Sequence, residues 1–377
     1  MAKGLSAQAK LKKQVLEQSL CTGCGACVGL CPYQVIHADR TVQLFSCDLQ
    51  EGKCYTFCPR TSVDFDRIRR ILYDSKDITA QIGAVKGFYL ARAADPHLRA
   101  KAQHGGTVTA LLQLAMEEGL ISAAIVSGQN EEGEPEGRVI DKSSELIRYA
   151  KSRFTVSPTG AAFHQMPDGF GGKLGVVATP CQATAFAKIR TSDIEGYAKG
   201  QSLGLVIGLF CGWTLSPEKF KHLLGQYDLT YEKIIEMDIP AGRSVLSLKT
   251  AGSDVEIPLS EVDACVRTAC RYCVDSTAEL ADLSVGAARY GGECCEMAGW
   301  NQVIVRSETG AKLMNLAGAK GVVEILEAPA QAFDALKAAA AEKKKKGLKA
   351  ITIKTGSAKK LLYLSSDDPV VKAYLKG

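Results

Sequence analysis

Between residues 21 and 59, Cys21, Cys24, Cys27 and Cys31 are followed by Pro32, and Cys47, Cys54 and Cys58 are followed by Pro59. A C-x2-C-x2-C-x3-C-P run puts three thiolates on one tight loop, where they reach three irons of one [4Fe-4S] cube; the fourth cysteine serves the other cluster of a pair. Cys58 is therefore expected to complete the cube of Cys21, Cys24 and Cys27, and Cys31 to join the second set. Gly23 and Gly25 let the backbone curl around the cube without a Cβ clash, and its amides can then bond to the sulfurs.

The second set is irregular. A full copy would need cysteines at the positions of Asp48 and Glu51, and neither is one. With a one-residue slip, Cys31, Cys47 and Cys54 leave one corner open. A three-iron centre, a carboxylate from Asp48 or Glu51, or a cysteine from elsewhere such as Cys265 would each fill the description. A zinc knuckle or a disulfide framework is the bland alternative, but neither calls for a third closely spaced thiol or Cys-Pro endings.

Further along, cysteines stand beside apolar strands at Thr179-Pro180-Cys181-Gln182, at Phe210-Cys211, and at Cys270 and Cys273 before Ala281-Asp282-Leu283. Strand ends of a parallel sheet gather at one edge, where ligands bind. Four such thiolates make a plausible third cubane, and Cys270-x2-Cys273 carries most of that expectation. Free cysteine is also a common small core residue. Cys294 and Cys295 are adjacent and are left unassigned. Gln103, His104, Gly105, Gly106 and Thr107 open a helix, so a phosphate could approach free amides at the positive end of its dipole. His104 reads by itself as an ordinary loop histidine. The chain has no Walker A motif, no clean GxGxxG after a strand and no HExxH, which argues against nucleotide hydrolysis, a standard dinucleotide fold and zinc peptidase chemistry.

The elements that position these groups follow from periodicity. Strands are predicted over 88–93, 121–126, 174–178, 203–209, 245–249, 283–285, 302–305 and 322–325, and helices over 64–73, 107–118, 182–190, 217–227 and 330–342. Continuous apolar strands suit a sheet covered on both faces. The expected fold is α/β, a mostly parallel sheet core preceded by an N-terminal two-cluster ferredoxin-like α+β domain. The expected divisions are an N-terminal helix over 1–20, the cluster domain over 21–62, a helical connector over 63–84 and the core over 85–377.

Bulk properties bound the function. The chain has 377 residues, 14 cysteines and a formal net charge of +5. Cysteines in metal-ligand spacing in a long chain point to a reducing, anaerobic cytoplasm rather than to disulfides. The modest charge does not indicate nucleic-acid binding, and a redox-sensing regulator would need a basic recognition helix. The basic amino terminus lacks the apolar stretch of a signal peptide, and the longest apolar run, 203–215, is too short to span a bilayer. The lysines at 343–346 read as the solvated C-terminal end of a helix.

Together these residues resemble the β-subunit family of coenzyme F420 hydrogenases and dehydrogenases. The resemblance rests on the N-terminal cysteine unit and, in order, on HGGTVTALLQLAMEEGLISAAI, SRFTVSPT, GVVATPCQ, IGLFC, CRYCVD, ADLSVG and GWNQVIVRSETG. It implies FAD near Gly105, Gly106, Thr107, Ser152, Arg153, Ser157 and Thr179, with His104 beside them. It also implies a cubane near the flavin on Cys181, Cys211, Cys270 and Cys273, two to three clusters in all. Where the family often has Ser-Lys-Tyr, this chain has Ser152-Arg153-Phe154, which keeps a cation but loses a hydroxyl.

The expected activity is that of a flavin-dependent oxidoreductase subunit that exchanges a hydride with reduced F420 and relays single electrons. Flavin both accepts hydrides and gives up electrons singly, which a deazaflavin or a nicotinamide does not do. Expected partners are a hydrogenase, formate dehydrogenase, sulfite reductase or heterodisulfide reductase complex. NAD(P)H or ferredoxin in place of F420 is the alternative donor, and a flavin-free electron-wiring subunit is the competing class.

Overall fold

The computed structural model describes residues 4–375 apart from 132, 196, 241, 289–296 and 298. Among the described residues, the central sheet has eight strands: β1 Gly87–Ala93, β2 Ala123–Gln129, β3 Pro135–Ile140, β4 Leu174–Ala178, β5 Leu203–Leu209, β6 Leu283–Ala287, β7 Asn301–Val305 and β8 Val323–Glu327. Their order across the sheet is β8-β1-β7-β6-β5-β4-β2-β3. The middle pairs β2–β4, β4–β5 and β5–β6 are parallel, and antiparallel pairing is confined to the two flanks. β1, β2, β4, β5 and β6 thus run one way, and the mostly parallel α/β core expected from the sequence is present.

Helices cover both faces, which is why the strands are apolar throughout. On one side, α1 Thr107–Glu117 and α4 Glu308–Ala319 bury Leu111, Leu112 and Leu313 against Ile207 and Val303. On the other, α2 Thr159–Gln165 and α3 Pro180–Arg190 bury Phe163, Phe186 and Ile189 against Ile125, Val176 and Val206.

Between β5 and β6 the chain leaves the sheet and builds a small antiparallel one from Ile234–Asp238, Val245–Thr250 and Asp254–Pro258. The strand predicted over 245–249 forms, but here and not in the parallel core. Leu246 and Leu248 are buried beside exposed or half-buried neighbours, the one-sided alternation of a half-covered sheet. Cys265 lies in that sheet's apolar core with Leu215 and Phe220, away from the N-terminal cysteines, so it does not supply their missing ligand.

The N-terminal unit opens with a helix, Ala7–Leu11, capped by Ser6 Oγ, that continues as a π-turn over Lys12–Leu16. Leu11 and Val15 pack against Cys27 and Cys58, while Leu5 stays exposed. A hairpin of Gln34–His37 and Arg40–Gln43 separates the two cysteine sets. The connector helix Phe65–Leu72 is capped by Asp64; it buries Ile68 but exposes Ile71, so its apolar face is narrower than the sequence suggested.

The last helix, α5 Ala330–Thr355, runs well past 342 and ends at Gly356 in the left-handed conformation. The lysines at 343–346 are therefore mid-helix, not a frayed end. Lys344 is buried and pairs with Glu279, and Lys343 donates to the carbonyl of Gly212. Their long apolar stems let the ammonium groups reach inward to acceptors, which corrects the solvated reading for these two.

Candidate metal centre

The Cys21 loop folds as its glycines require. Gly23 has φ +66° and Gly25 φ +78°, and a Cβ on Gly25 would lie 2.6 Å from the backbone nitrogen of Ala161. That close approach docks the loop on α2, where Gly160 N–H donates to the Cys24 carbonyl at 2.9 Å. Cys21, Cys24, Cys27 and Cys58 surround one small cavity closed by Leu11, Val15 and Thr41. Thr41 Oγ1 lies 3.1 Å from Cys27 Sγ, and Arg60 N–H donates to Cys58 Sγ at 3.4 Å. Burial raises the Cys58 thiol to about 11, against the backbone N–H of Arg60 and the charge of Lys188, which both lower it. Burial and then the charge of Cys58 push Cys27 well up. Burial holds the Cys24, Cys27 and Cys58 thiols against ionisation, a balance that a bound metal's charge would invert.

The second site is assembled around Cys181. Thr179 and Cys181 start α3 directly after β4, and Cys211 follows β5, so both stand at the C-terminal edge of the parallel strands. Cys270 lies in the turn Thr268–Tyr272 and Cys273 just after it, on the return from the small sheet. Cys211 is raised by burial and then by the charges of Cys270, Cys181 and Cys273, so the four thiols lie within electrostatic reach of one another. Thr214 N–H donates to Cys270 Sγ at 3.4 Å, and Thr179 Oγ1 is 3.3 Å from Cys181 Sγ. Among the described residues, no three His, Cys, Asp or Glu side chains close around a single ion. Two sets of four thiols, without a carboxylate or imidazole among them, are the donor chemistry of iron-sulfur cubes.

The two sites adjoin, for the charge of Cys181 acts on Cys24. Two buried arginines tie them together. Arg267 pairs with Asp39 at 2.7 Å and donates to the carbonyls of Thr22 at 2.6 Å and Cys21 at 3.1 Å. Arg60, directly after Cys58-Pro59, donates to the carbonyls of Ala269 at 3.2 Å and Tyr272 at 3.3 Å, the residues before Cys270 and Cys273. Lys188 on α3 donates to the Cys58 carbonyl at 2.8 Å. Sequence reasoning missed Arg60, Arg267 and Lys188; only adjacency to Cys58 and Cys270 hinted at the first two.

The remaining expected residues lie along the same strand edge. Ser152 N–H donates to Gln103 Oε1 at 3.1 Å, and Gln182 Nε2 donates to the Ser157 carbonyl, so segment 152–157 runs from the glycine turn to the Cys181 turn. Within it, Arg153 Nε and Ser157 Oγ are buried with no hydrogen-bond partner. His104 faces Asp238, Nε2 to Oδ1 at 3.8 Å. The glycine turn differs from expectation in one respect. Gly106 is left-handed at φ +74°, but the Thr107 N–H is already taken by Asn301 Oδ1 at 3.4 Å, and Thr107 Oγ1 bonds the same atom at 2.9 Å. Asn301, which the sequence did not single out, thus occupies the first amide of α1. Cys294 and Cys295 lie outside the described residues. No helix among the described residues is long and apolar enough to cross a membrane.

Comparison with known proteins agrees with this architecture. Residues 88–164 and 171–331 match the models described as coenzyme F420 hydrogenase/dehydrogenase, beta subunit N-term and C terminus, and residues 15–37 match a 4Fe-4S binding domain. The coenzyme F420 hydrogenase subunit beta of Methanothermobacter thermautotrophicus is 30% identical over 275 residues, 72% of this chain and 95% of that protein. The coenzyme F420-dependent sulfite reductase of Methanocaldococcus jannaschii is 28% identical over 83% of this chain, which spans only 48% of that longer protein. A chain of the xenon-derivatized F420-reducing [NiFe] hydrogenase complex of Methanosarcina barkeri superposes with a TM-score of 0.67 at 26% identity, covering 74% of this chain and 95% of that one. With its paired cysteine sites on a mostly parallel sheet, this chain belongs to the coenzyme F420 hydrogenase/dehydrogenase beta-subunit family.

Proposed function

We propose that this chain is the electron-splitting subunit of a larger oxidoreductase: it exchanges a hydride with reduced coenzyme F420 at bound FAD and relays single electrons through its cysteine-held clusters to a partner redox subunit. When bound, FAD supplies the hydride-accepting and single-electron chemistry. The observation that carries the reading is segment 152–157, which joins the glycine turn to the Cys181 turn while holding three buried polar atoms without partners, on Arg153, Thr155 and Ser157. Native buried polar groups are nearly all satisfied, so Arg153 Nε and Ser157 Oγ fit a polar ligand set at this edge. Arg153 would hold an anionic cofactor group, and Thr179 would orient the start of α3 beside Cys181. From the Cys181 set the Cys21 set is the adjacent stop, with Arg60 and Arg267 fixing the separation.

One observation favours a flavin-free wiring subunit. Asn301 already satisfies the first amide of α1, which leaves that amide no role toward a phosphate. Anaerobic purification separates the two readings. The proposal expects flavin absorbance near stoichiometric with the chain and more than one cube of iron; iron without flavin selects wiring. Stopped-flow mixing with reduced F420, NADH, NADPH and reduced ferredoxin then identifies the donor. Bleaching by F420 no faster than background removes F420 from the proposal.

A further inference from the structure

The second cysteine set lacks a fourth thiol, and the fold shows what stands in its place. Leu44 N–H donates to the Tyr33 carbonyl at 2.8 Å, and Gln34 pairs with Gln43 across the hairpin. Gln8 of the first helix accepts from Cys47 N–H at 2.8 Å and donates to the Phe45 carbonyl at 2.8 Å, and Ala7 N–H donates to the Leu49 carbonyl at 2.8 Å. These bonds draw the segments bearing Cys31, Cys47 and Cys54 to one end of the unit, where Gly52, two residues before Cys54, sits so close to Ala7 that a Cβ on it would lie 3.0 Å from the Ala7 Cβ.

The ligand candidates left open by the sequence separate here. Asp48 and Glu51 are exposed, and Cys265 lies in the core of the small antiparallel sheet. Gln34 is only 2% exposed, and neither its Nε2 nor its Oε1 has a hydrogen-bond partner. Its partner across the hairpin, Gln43, donates through Nε2 to the Gln8 carbonyl at 3.1 Å, and the Gln8 side chain accepts from Cys47 N–H, so Gln34 sits at the cysteine-bearing end of the unit. A buried amide with both atoms unsatisfied is costly unless something absent from the bare chain engages it.

We propose that Cys31, Cys47 and Cys54 hold a second iron-sulfur cluster and that Gln34 Oε1 faces its fourth corner, the iron that no cysteine binds. A neutral amide oxygen holds iron far less firmly than a thiolate, so that iron is labile and the cluster passes between four-iron and three-iron forms. On oxidation one electron goes to the oxidant and one Fe2+ leaves, while three irons stay on three thiolates. The inference rests on the iron-sulfur part of the proposed function and not on flavin or F420.

The test uses the full-length protein, loaded anaerobically with iron and sulfide and titrated with ferricyanide beside a ferrous chelator. The wild type should release about one iron per chain and develop the EPR signal of a three-iron cluster at about one spin per chain, because the other two sets have four cysteines each. Gln34→Cys should abolish both changes, and Gln34→Leu should bind about one iron fewer per chain from the start, developing the three-iron signal on oxidation with no further iron release. Cys54→Ala should lower bound iron by about one cluster. A wild type with no three-iron signal, a Gln34→Cys variant that sheds iron like the wild type, or a Cys54→Ala variant with unchanged iron would each overturn the assignment. Flavin assayed on the same samples reports separately on the proposed function.

Discussion

Buried Arg267 and half-buried Asp39 form an ion pair at 2.7 Å between the turn that presents Cys270 and the hairpin that closes the Cys21 pocket. Their positions are 228 apart in sequence, so neither cysteine site is assembled independently of the other.

Arg267→Ala is expected to destabilise the fold by about 3–5 kcal/mol, because Asp39 and the carbonyls of Cys21 and Thr22 would be left without their donor. Arg267→Lys restores charge but not the planar fork, and should recover only part of the loss. Anaerobic urea unfolding, followed through cluster absorbance, checks both values.

Lys344 and Glu279 are a second buried pair. Burial raises the Glu279 carboxyl even against the lowering effect of Lys344. Removing either partner alone should cost about 3–5 kcal/mol, whereas Lys344→Met combined with Glu279→Gln should cost much less, since no charge is then stranded. A double-mutant cycle with a coupling near zero would sink this account.

His164 donates through Nε2 to the Ala26 carbonyl at 3.0 Å, and its Nδ1 has no partner. Burial lowers its pKa to about 4. The unfolded chain takes up this proton near pH 6.5 and the folded chain only near 4, so the contribution is intact above 6.5 and falls as pH drops through that window, by up to about 3 kcal/mol. Unfolding midpoints at pH 7.5 and 5 should differ in the wild type and converge in His164→Gln.

A Cβ on Gly160 would lie 2.6 Å from the Ala26 nitrogen and 2.8 Å from the Cys24 carbonyl oxygen. Backbone cannot yield as a flexible side chain does, so Gly160→Ala should cost about 1–3 kcal/mol and loosen the Cys21 loop. Iron release to a chelator should quicken in the variant while secondary structure is unchanged by circular dichroism.

On the proposed function, Arg153→Ala should weaken FAD binding by about ten- to a hundredfold, the worth of one charged hydrogen bond, and Ser157→Ala by less. Fluorescence titration of the flavin-depleted protein gives both values. Equal affinities in wild type and Arg153→Ala would place the anionic group elsewhere.

Much was written locally in the chain. The C-x2-C-x2-C run, the left-handed glycines inside it, and apolar strands such as 174–178 follow from spacing and backbone sterics, which act over a few residues. Their identities and the α/β class could be stated before any coordinates. The grouping of Cys181 and Cys211 with Cys270 and Cys273 was also expected, from their places at strand ends and from the family resemblance, whereas the exile of 245–249 and Cys265 to a separate sheet and the burial of Lys344 against Glu279 were decided only by packing. So were the bonds of Arg60 and Arg267 and the stranded carboxamide of Gln34. Each depends on groups brought together over long sequence separations, and periodicity carries no information about which distant charge or carbonyl will be left waiting inside.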